Sequence, residues 1–209
     1  MRYRYAMCGC NAPVTTSVWT KAQNNGQKAP GRGTTACDFD NDGDMDIYVS
    51  NYRLEANILL VNDGKGNFTN QAAAYNVRGG SGHSLGAAFG DVDNDGYIDI
   101  FAGNFAHGGQ PQSQFLRNLG PGKAFHFENK GTCGVHYQES YGSPALGDYD
   151  NDGDLDILIT SSGGPARLFR NDGGNDNNWI TLRLVGQQSN RDGIGAKVRL
   201  RSGAVTQTA

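Results

Sequence analysis

The chain has 209 residues and a formal net charge of −3. This length fits one sizeable domain, with or without an appendage, rather than two independent domains. It contains 31 glycines against a hydrophobic fraction of 37%, a composition that favours a turn-rich β protein over a helical bundle. No apolar run reaches the roughly 18 residues of a membrane span. The starting prediction is therefore an all-β fold without a membrane-spanning helix.

The negative charge is concentrated in three short windows. Of the 21 acidic residues, 18 are Asp, and 14 of these lie within residues 38–46, 91–99 and 148–156. The rest of the chain carries 18 basic residues against 7 acidic ones. Such crowding of like charges predicts cations bound within the windows, not a uniformly acidic surface.

Residues 1–30 form an N-terminal segment that we expect to supply one or more strands. It contains Cys8 and Cys10, which with Cys37 and Cys133 allow three disulfide pairings. A bridge between Cys8 and Cys10 is disfavoured because a single intervening residue strains it. Bridges from this pair to Cys37 or Cys133, and free thiols, are the alternatives that the sequence leaves open.

Residues 31–176 contain one pattern repeated three times, with windows that begin 53 and 57 residues apart. Small and apolar residues precede each window, and a β-rich run follows it. A second apolar run then ends in Asn62, Asn118 or Asn171, and a glycine-rich turn and an aromatic strand follow in the first two copies. Each period therefore predicts about four short strands, with the acidic loop between the first two, which is the size of a propeller blade.

The spacing within the windows, numbered 1 to 9, predicts calcium. Carboxylates at positions 1, 3 and 5, a Gly at position 6 and a backbone carbonyl at position 7 make the oxygen-only cage that suits calcium. Zinc would need Cys or His, and none lies within the windows. An EF-hand would place Glu at position 12, where this chain has Val49, Ala102 and Ile159.

Position 7 varies, and its Tyr in the second window indicates a backbone carbonyl ligand. Position 9 is always Asp. Three calcium sites are therefore predicted, and their bound ions are expected to stabilise the fold. The predicted metal-binding residues are Asp38, Asp40, Asp42, Asp44 and Asp46; Asp91, Asp93, Asp95, Tyr97 and Asp99; and Asp148, Asp150, Asp152, Asp154 and Asp156.

These motifs resemble the FG-GAP/VCBS repeats of integrin-α-like propellers. The resemblance covers about residues 31–174 and rests on Asp-x-Asp-x-Asp-Gly-x-x-Asp, the β-run after it, and the trailing Leu-Phe-Arg-Asn-Asp-Gly at 168–173. It implies that the Asp side chains at positions 1, 3, 5 and 9 and the carbonyl at position 7 hold calcium within each blade. All twelve of those side-chain positions are Asp here.

Residues 177–209 resemble the beginning of an ASPIC/UnbV module, which often follows such repeats. The resemblance rests on Asn178-Trp179-Ile-Thr-Leu-Arg-Leu-Val-Gly and the Ser189–Leu200 stretch. It implies a partial C-terminal β segment. Within it, Arg191-Asp192-Gly193 is interpreted as a turn between strands and not as an adhesion signal.

Three acidic loops are fewer than a closed propeller requires, since rings usually have four to eight blades. We therefore expect a fragment of a longer propeller, an open array that residues 1–30 and the C-terminal strands complete, or a propeller that several chains complete between them. Exposed blade faces and strand edges favour association, which makes self-assembly into an oligomer or fibre a serious hypothesis.

No catalytic motif was found. Gly79-Gly80-Ser81-Gly82-His83 departs from the nucleophile elbow at its last position, and a phosphate-binding loop is absent. The four His residues are expected to be surface or loop residues: His83, His107, His126 and His136. Asn67-Phe68-Thr69 matches a glycosylation acceptor but also suits the turn chemistry of the repeat.

The sequence thus predicts an extracellular or cell-surface, calcium-binding, non-catalytic β-propeller-like module for adhesion, matrix or surface assembly. Expected partners are the chain itself, an extracellular protein or a glycan; nucleic acid binding and membrane insertion are not expected. One alternative is a self-assembling subunit of an extracellular fibre. Another is a propeller fragment of a carbohydrate-binding protein or a polysaccharide-active enzyme.

Overall fold

The computed structural model describes residues 30–135, 143–160, 164–174, 177–188, 190–203 and 205–208. Residues 1–29 lie outside these ranges, and so do the strands predicted there, Cys8, Cys10 and His136. Within the described ranges the chain forms thirteen strands in four antiparallel sheets, with two short 3-10 turns and no α-helix. The all-β prediction is confirmed, and no helix of the described residues is long and apolar enough to cross a membrane.

Blade 1 is a four-stranded antiparallel sheet in the order β1-β2-β3-β4. Residues Cys37 and Asp46 pair across the β1–β2 ladder, so the first acidic window is the loop of a hairpin, as predicted. Strand β2 is buried along nearly its whole length, as expected for an apolar strand covered on both faces. The strands are β1 (Gly31–Cys37), β2 (Asp46–Asn51), β3 (Ile58–Asn62) and β4 (Phe68–Asn70).

Blade 2 repeats this arrangement in the order β5-β6-β7-β8. Gly90 pairs with Asp99, which places the second window in the equivalent loop. The ladder has an irregularity between Ser84 and Gly86, matching the one between Gly31 and Gly33 in blade 1. The strands are β5 (His83–Gly90), β6 (Asp99–Phe105), β7 (Gln114–Asn118) and β8 (Phe127–Asn129).

Blade 3 has three strands among the described residues, in the order β11-β10-β9. Gly147 pairs with Asp156, so the third window again joins the first two strands. A separate two-stranded hairpin, β12–β13, lies near the C-terminal end of the chain, and residues 177–188 contain no strand. The strands are β9 (Pro144–Gly147), β10 (Asp156–Ile159), β11 (Arg167–Phe169), β12 (Arg199–Ser202) and β13 (Val205–Thr208).

The three blades lie side by side with their first strands adjacent. Strand β5 contacts β1 and β2, and β9 contacts β5 and β6. A glycine permits the close approach of β1 and β5, because a Cβ on Gly33 would overlap the Cα of Gly86 and the carbonyl of Leu85. This arrangement is that of consecutive β-propeller-type blades, as predicted.

The core lies between the blades. One cluster joins Phe39, Tyr48 and Leu59 of blade 1 to Ile100, Leu116 and Phe127 of blade 2. A second joins Phe101 and Phe115 of blade 2 to Ile157 and Ile159 of blade 3. Because each fully buried side chain of this size contributes about 1.5–3 kcal/mol, the interfaces between blades hold the array together.

The outer face of blade 3 is exposed. Leu158 and Leu168 are 41% and 48% exposed, whereas the corresponding side chains of blade 1, Tyr48 and Leu59, are fully buried against blade 2. Tyr149, which corresponds to Phe39, is 51% exposed. We refer to Tyr149, Leu158 and Leu168 as the open face of blade 3.

Candidate metal centres

The three acidic windows adopt one backbone conformation. The Asn at position 4 has a positive φ in each copy, 58° at Asn41, 53° at Asn94 and 63° at Asn151. The Gly at position 6 has a φ of 96° or 97° in each copy. Asn and Gly are the residues that most readily adopt positive φ, so the local sequence itself specifies the loop.

The Asp at position 1 organises the loop by accepting hydrogen bonds from two backbone N–H groups. In the first window, Asp42 N–H and Gly43 N–H donate to the two carboxylate oxygens of Asp38 at 3.0 and 2.9 Å. The residue at position 7 donates its N–H to the carboxylate at position 5, as Asp44 does to Asp42 at 2.9 Å. Equivalent bonds occur in the second and third windows.

Each loop brings three carboxylates together. One oxygen from each lies within 4.8 Å of the others, a separation that a single cation can bridge. The clusters are Asp38, Asp40 and Asp42; Asp91, Asp93 and Asp99; and Asp148, Asp150 and Asp156. Asp clusters that can bind a metal ion were predicted, and the structure shows them; the complete ligand sets stay predictions.

The residues at position 9 are almost inaccessible to solvent. Asp46 and Asp99 are each 1% exposed, and each accepts a backbone N–H, from Asn62 at 2.9 Å and from Asn118 at 2.8 Å. Burial raises the pKa of Asp46 to about 7 and that of Asp99 to about 8, and the neighbouring carboxylates add to the shift. These carboxyl groups are therefore costly to ionise in the metal-free chain.

The donor set fits a hard cation. Within the described part of the chain, one buried carboxylate oxygen of Asp40 and one of Asp46 accept no hydrogen bond. An unpartnered buried carboxylate oxygen is unfavourable unless something else neutralises it. A cation coordinated by oxygen atoms would satisfy both, and calcium prefers such ligands.

The side chains at position 7 lie outside the three clusters. The Asp154 carboxylate is buried and accepts the N–H of Gly174 at 3.0 Å, and the Tyr97 ring packs against Gly120 and Phe125. Asp44 lies close to Gly64. This variety fits the expectation that position 7 acts through its backbone carbonyl.

The second window has an internal counter-ion. The Arg117 guanidinium contacts Asp93 Oδ2 through Nε at 2.6 Å and Asp95 Oδ2 through Nη2 at 3.0 Å. The corresponding residue in blade 1 is Val61, and in blade 3 Arg170 forms its salt bridge with Asp172, outside the window. The sequence pattern contained Arg117 but did not indicate this contact, because an Arg on a strand is usually a solvated surface residue.

Two asparagines at the ends of third strands link neighbouring loops. Asn118 donates its Nδ2 to the carbonyl of Ile98 in its own loop at 3.1 Å and to that of Phe39 in the loop of blade 1 at 2.9 Å. Asn171 does the same with Leu155 and with Val92 of blade 2. We call Asn118 and Asn171 the bridging asparagines; sequence reasoning recorded their recurrence without assigning a role.

A cavity of about 560 Å³ lies between blades 2 and 3. Phe115, Ile157 and Phe169 line its apolar part. Arg117 and Arg170 contribute cationic groups to its lining, and Asp93 and Asp99 of the second window also border it.

The other sequence candidates are not among the carboxylate clusters. Cys37, next to the first window, and Cys133 are free thiols in the structure; the alternative bridges to Cys8 or Cys10 involve residues outside the described ranges and stay predictions. His83 packs against Tyr52, and its Nδ1 accepts the N–H of Arg53. Asn67 donates its Nδ2 to Asp63 at 2.9 Å within the β3–β4 turn, which is the turn chemistry expected of the repeat.

Comparison with known proteins supports the repeat assignment. Residues 38–102 match the FG-GAP-like repeat family. The chain is 29% identical over 169 residues to cartilage acidic protein 1 of Mus musculus and of Homo sapiens, and 28% identical to that of Xenopus tropicalis. Each alignment covers 73% of this chain and 24% of the relative, so the chain spans about a quarter of the length of these curated relatives. The chain therefore carries FG-GAP-like repeats in β-propeller-type blades and is similar to cartilage acidic protein 1, as the sequence motifs predicted.

Proposed function

We propose that this chain is a calcium-stabilised, non-catalytic module that acts outside the cell in adhesion, matrix or surface assembly. The observation that carries the proposal is the threefold repetition of one loop in which three Asp carboxylates converge within reach of a single cation. Without a cation these carboxylates repel one another, and burial raises the pKa of Asp46 and Asp99, which makes these two groups costly to ionise. Calcium would stabilise the loops that join the first two strands of every blade.

The extracellular part of the proposal rests on chemistry and similarity. Calcium-binding modules with weak sites occur outside cells, where the ion is abundant. The similar proteins are named after cartilage. The non-catalytic part rests on the sites themselves, because the carboxylates that could serve as acid and base are the candidate ligands of the ions.

The test is a calcium titration of the purified chain by calorimetry, together with melting curves in calcium and in chelator. We expect three ions per chain. At a free calcium concentration 100 times the dissociation constant, each site contributes roughly 2.7 kcal/mol of stability, which raises the melting temperature by about 5–10 °C per site. An unchanged melting temperature on chelation would contradict the proposal.

Single-site variants make the titration specific. Asp40→Asn, Asp93→Asn and Asp150→Asn each alter position 3 of one window, and each is expected to remove one ion from the stoichiometry. Asp192→Asn, which changes an acidic residue outside the windows, is the control and should leave three ions. Magnesium in place of calcium should restore little stability, because it requires a smaller and more regular octahedral site.

The open face of blade 3 favours assembly as a second candidate function. Three large side chains whose counterparts in blade 1 are fully buried are exposed there. Exposed blade faces and strand edges promote association. A self-assembling extracellular subunit is therefore proposed as the form that an assembly role would take.

The cavity between blades 2 and 3 supports the remaining candidate, a carbohydrate-binding or polysaccharide-active module. Its apolar lining and two arginines resemble the composition of ligand sites in general. A glycan array probed with the calcium-loaded chain tests binding, and release of reducing sugar from polysaccharides tests turnover. We expect no turnover.

A further inference from the structure

We infer that the bridging asparagines couple the candidate calcium sites of neighbouring blades, so that an ion bound in one loop raises the affinity of the next. This inference rests on the proposed function. The structural basis is that one side chain contacts the backbone of two loops that are distant in sequence.

Asn118 lies at the junction of the first and second loops. Its backbone N–H donates to the Asp99 carboxylate at 2.8 Å, and its Nδ2 donates to the carbonyl of Phe39 at 2.9 Å. Phe39 stands between the candidate ligands Asp38 and Asp40. Both Asn118 and Phe39 are fully buried, so a change in the position of one loop is transmitted to the other without an intervening solvent layer.

Asn171 repeats the arrangement between the second and third loops. Its N–H donates to Asp156 at 2.8 Å, and its Nδ2 donates to the carbonyl of Val92 at 2.9 Å. Val92 stands between Asp91 and Asp93. A second connection reinforces this junction, because Asn94 of the second window donates its Nδ2 to the carbonyl of Gly153 in the third at 2.9 Å.

The physical consequence is that two neighbouring loops share the conformational entropy lost when they become ordered. Binding an ion in one loop fixes the carboxylate at position 9 and the asparagine that donates to it. The same asparagine then holds the neighbouring loop near its binding geometry, so the second ion has less conformational freedom to remove. Coupling of this kind is reciprocal between the two sites.

Asn62 provides a matched control within the chain. Its backbone N–H donates to Asp46, its Nδ2 donates to the carbonyl of Met45 at 3.3 Å, and its side-chain oxygen accepts the N–H of Gly64. Asn118 makes the same three contacts in blade 2. Within the described residues, the contact with a preceding loop is found for Asn118 and not for Asn62, so comparing Leu substitutions at the two positions isolates the effect of the bridge.

The experiment is a calcium titration of the full chain in three forms. Asp150→Asn leaves the first two sites, and adding Asp93→Asn or Asp40→Asn leaves the first or the second alone. The coupling factor is the overall association constant for two ions in the two-site form, divided by the product of the association constants of the two single-site forms. We expect a factor of about 5 or more, at the low end of typical allosteric couplings.

In the Asn118→Leu background the coupling factor should fall to about one, whereas in the Asn62→Leu background it should keep its full value. A purely structural role for Asn118 would lower individual affinities and the melting temperature but leave the factor unchanged. A coupling factor of one without the Asn118→Leu substitution overturns the inference. So does a coupling factor that keeps its full value in the Asn118→Leu background.

The same cycle at Asn171, with the second and third sites, tests the inference if Asn118→Leu fails to fold. There Asn171→Leu should lower the coupling factor, and Asn171→Leu with Asn94→Gly should bring it to about one, because Asn94 supplies the second connection. Asn171 is less buried than Asn118, so its replacement disturbs the core less. The absence of calcium binding at every site would contradict the proposed function. Calcium binding at independent sites would contradict only the coupling.

Discussion

Two carboxyl groups set the pH dependence expected of this chain. Burial raises the pKa of Asp46 to about 7 and of Asp99 to about 8, whereas in the unfolded chain both should titrate near 3.9. Between these values the folded metal-free protein holds protons that the unfolded chain has released. Its free energy of unfolding therefore decreases as pH rises from about 4 to about 8.

Calcium should reverse this trend, because the ion binds the ionised carboxylates and competes with protons. We predict that the increase in melting temperature caused by calcium is small at pH 5.5 and grows toward pH 7.5. Differential scanning calorimetry of calcium-free and calcium-loaded protein measures it directly. Asp46→Asn should remove part of the dependence, and an equal calcium effect at both pH values would contradict the assignment of these groups as ligands.

Arg117 supplies a positive charge directly to two carboxylates of the second window. Replacing it with Val, the residue at the corresponding position 61, removes the neutralisation of Asp93 and Asp95. The guanidinium is 39% exposed, so we predict a modest loss of about 0.5–1 kcal/mol in the calcium-free protein. The loss should be smaller with calcium bound, since the ion then neutralises the same carboxylates.

The measurement is the melting temperature of Arg117→Val in chelator and in calcium. Lys130→Ala is the control, because its partner Glu128 lies outside the three windows. Equal destabilisation of Arg117→Val under both conditions would show that the arginine acts on the fold and not on the loop charge.

Within the first loop, substitution of Gly43 tests the effect of backbone strain separately from that of a steric clash. Gly43 has a φ of 97°, and a Cβ placed on it would meet no atom within 4 Å. Gly43→Ala therefore introduces strain without a steric clash, of the order of 1–2 kcal/mol. Gly153 is less suitable, because the Trp179 indole already occupies the space that a Cβ would take.

We predict that Gly43→Ala lowers the calcium affinity of the first site by about tenfold, as expected if most of that strain falls on the bound loop. Gly108→Ala is the control, since Gly108 is exposed and also has open space around it, and its φ is not positive. Isothermal titration gives both affinities. Unchanged binding in Gly43→Ala would mean that the loop relaxes to another conformation with its carboxylates still in place.

The strands and loops of the blades were predictable because their signals are local. The windows recur with the same Asn and Gly at positions of positive φ, and each lies between two apolar runs. The four-strand order was therefore predicted and is confirmed in blades 1 and 2. Contacts between blades were not predictable, since Asn118 and Phe39 are 79 residues apart and their meeting depends on how whole blades pack.

Blade 3 departs from the predicted four-strand pattern. Its third strand ends near the Asn171 position as in the other copies, but the described residues that follow, 172–174 and 177–188, contain no fourth strand. Residues 177–188 instead carry exposed apolar side chains, among them Trp179, Ile180 and Leu182. The interpretation of 177–209 as the beginning of an ASPIC/UnbV module stays a prediction.

For the whole molecule, the open face of blade 3 is the feature with the clearest consequence. The array buries each blade against the next, and the interface between blades 1 and 2 covers Phe39, Tyr48 and Leu59 completely. The same positions in blade 3 leave Tyr149, Leu158 and Leu168 about half exposed. Burying them would yield a contribution comparable to that of one interior interface.

We predict that the calcium-loaded chain associates through this face. Light scattering should give a molar mass above that of the monomer in calcium, and the mass should fall to the monomer value or the chain should unfold in chelator. Leu158→Lys combined with Leu168→Lys should abolish association while calcium binding is retained, because a charged side chain opposes burial of the face. Ile194→Lys, at an exposed residue outside the strands of the three blades, should leave the mass unchanged. A monomer in calcium would exclude the assembly candidate under those conditions, and the calcium-binding module would then require a different partner for its open face.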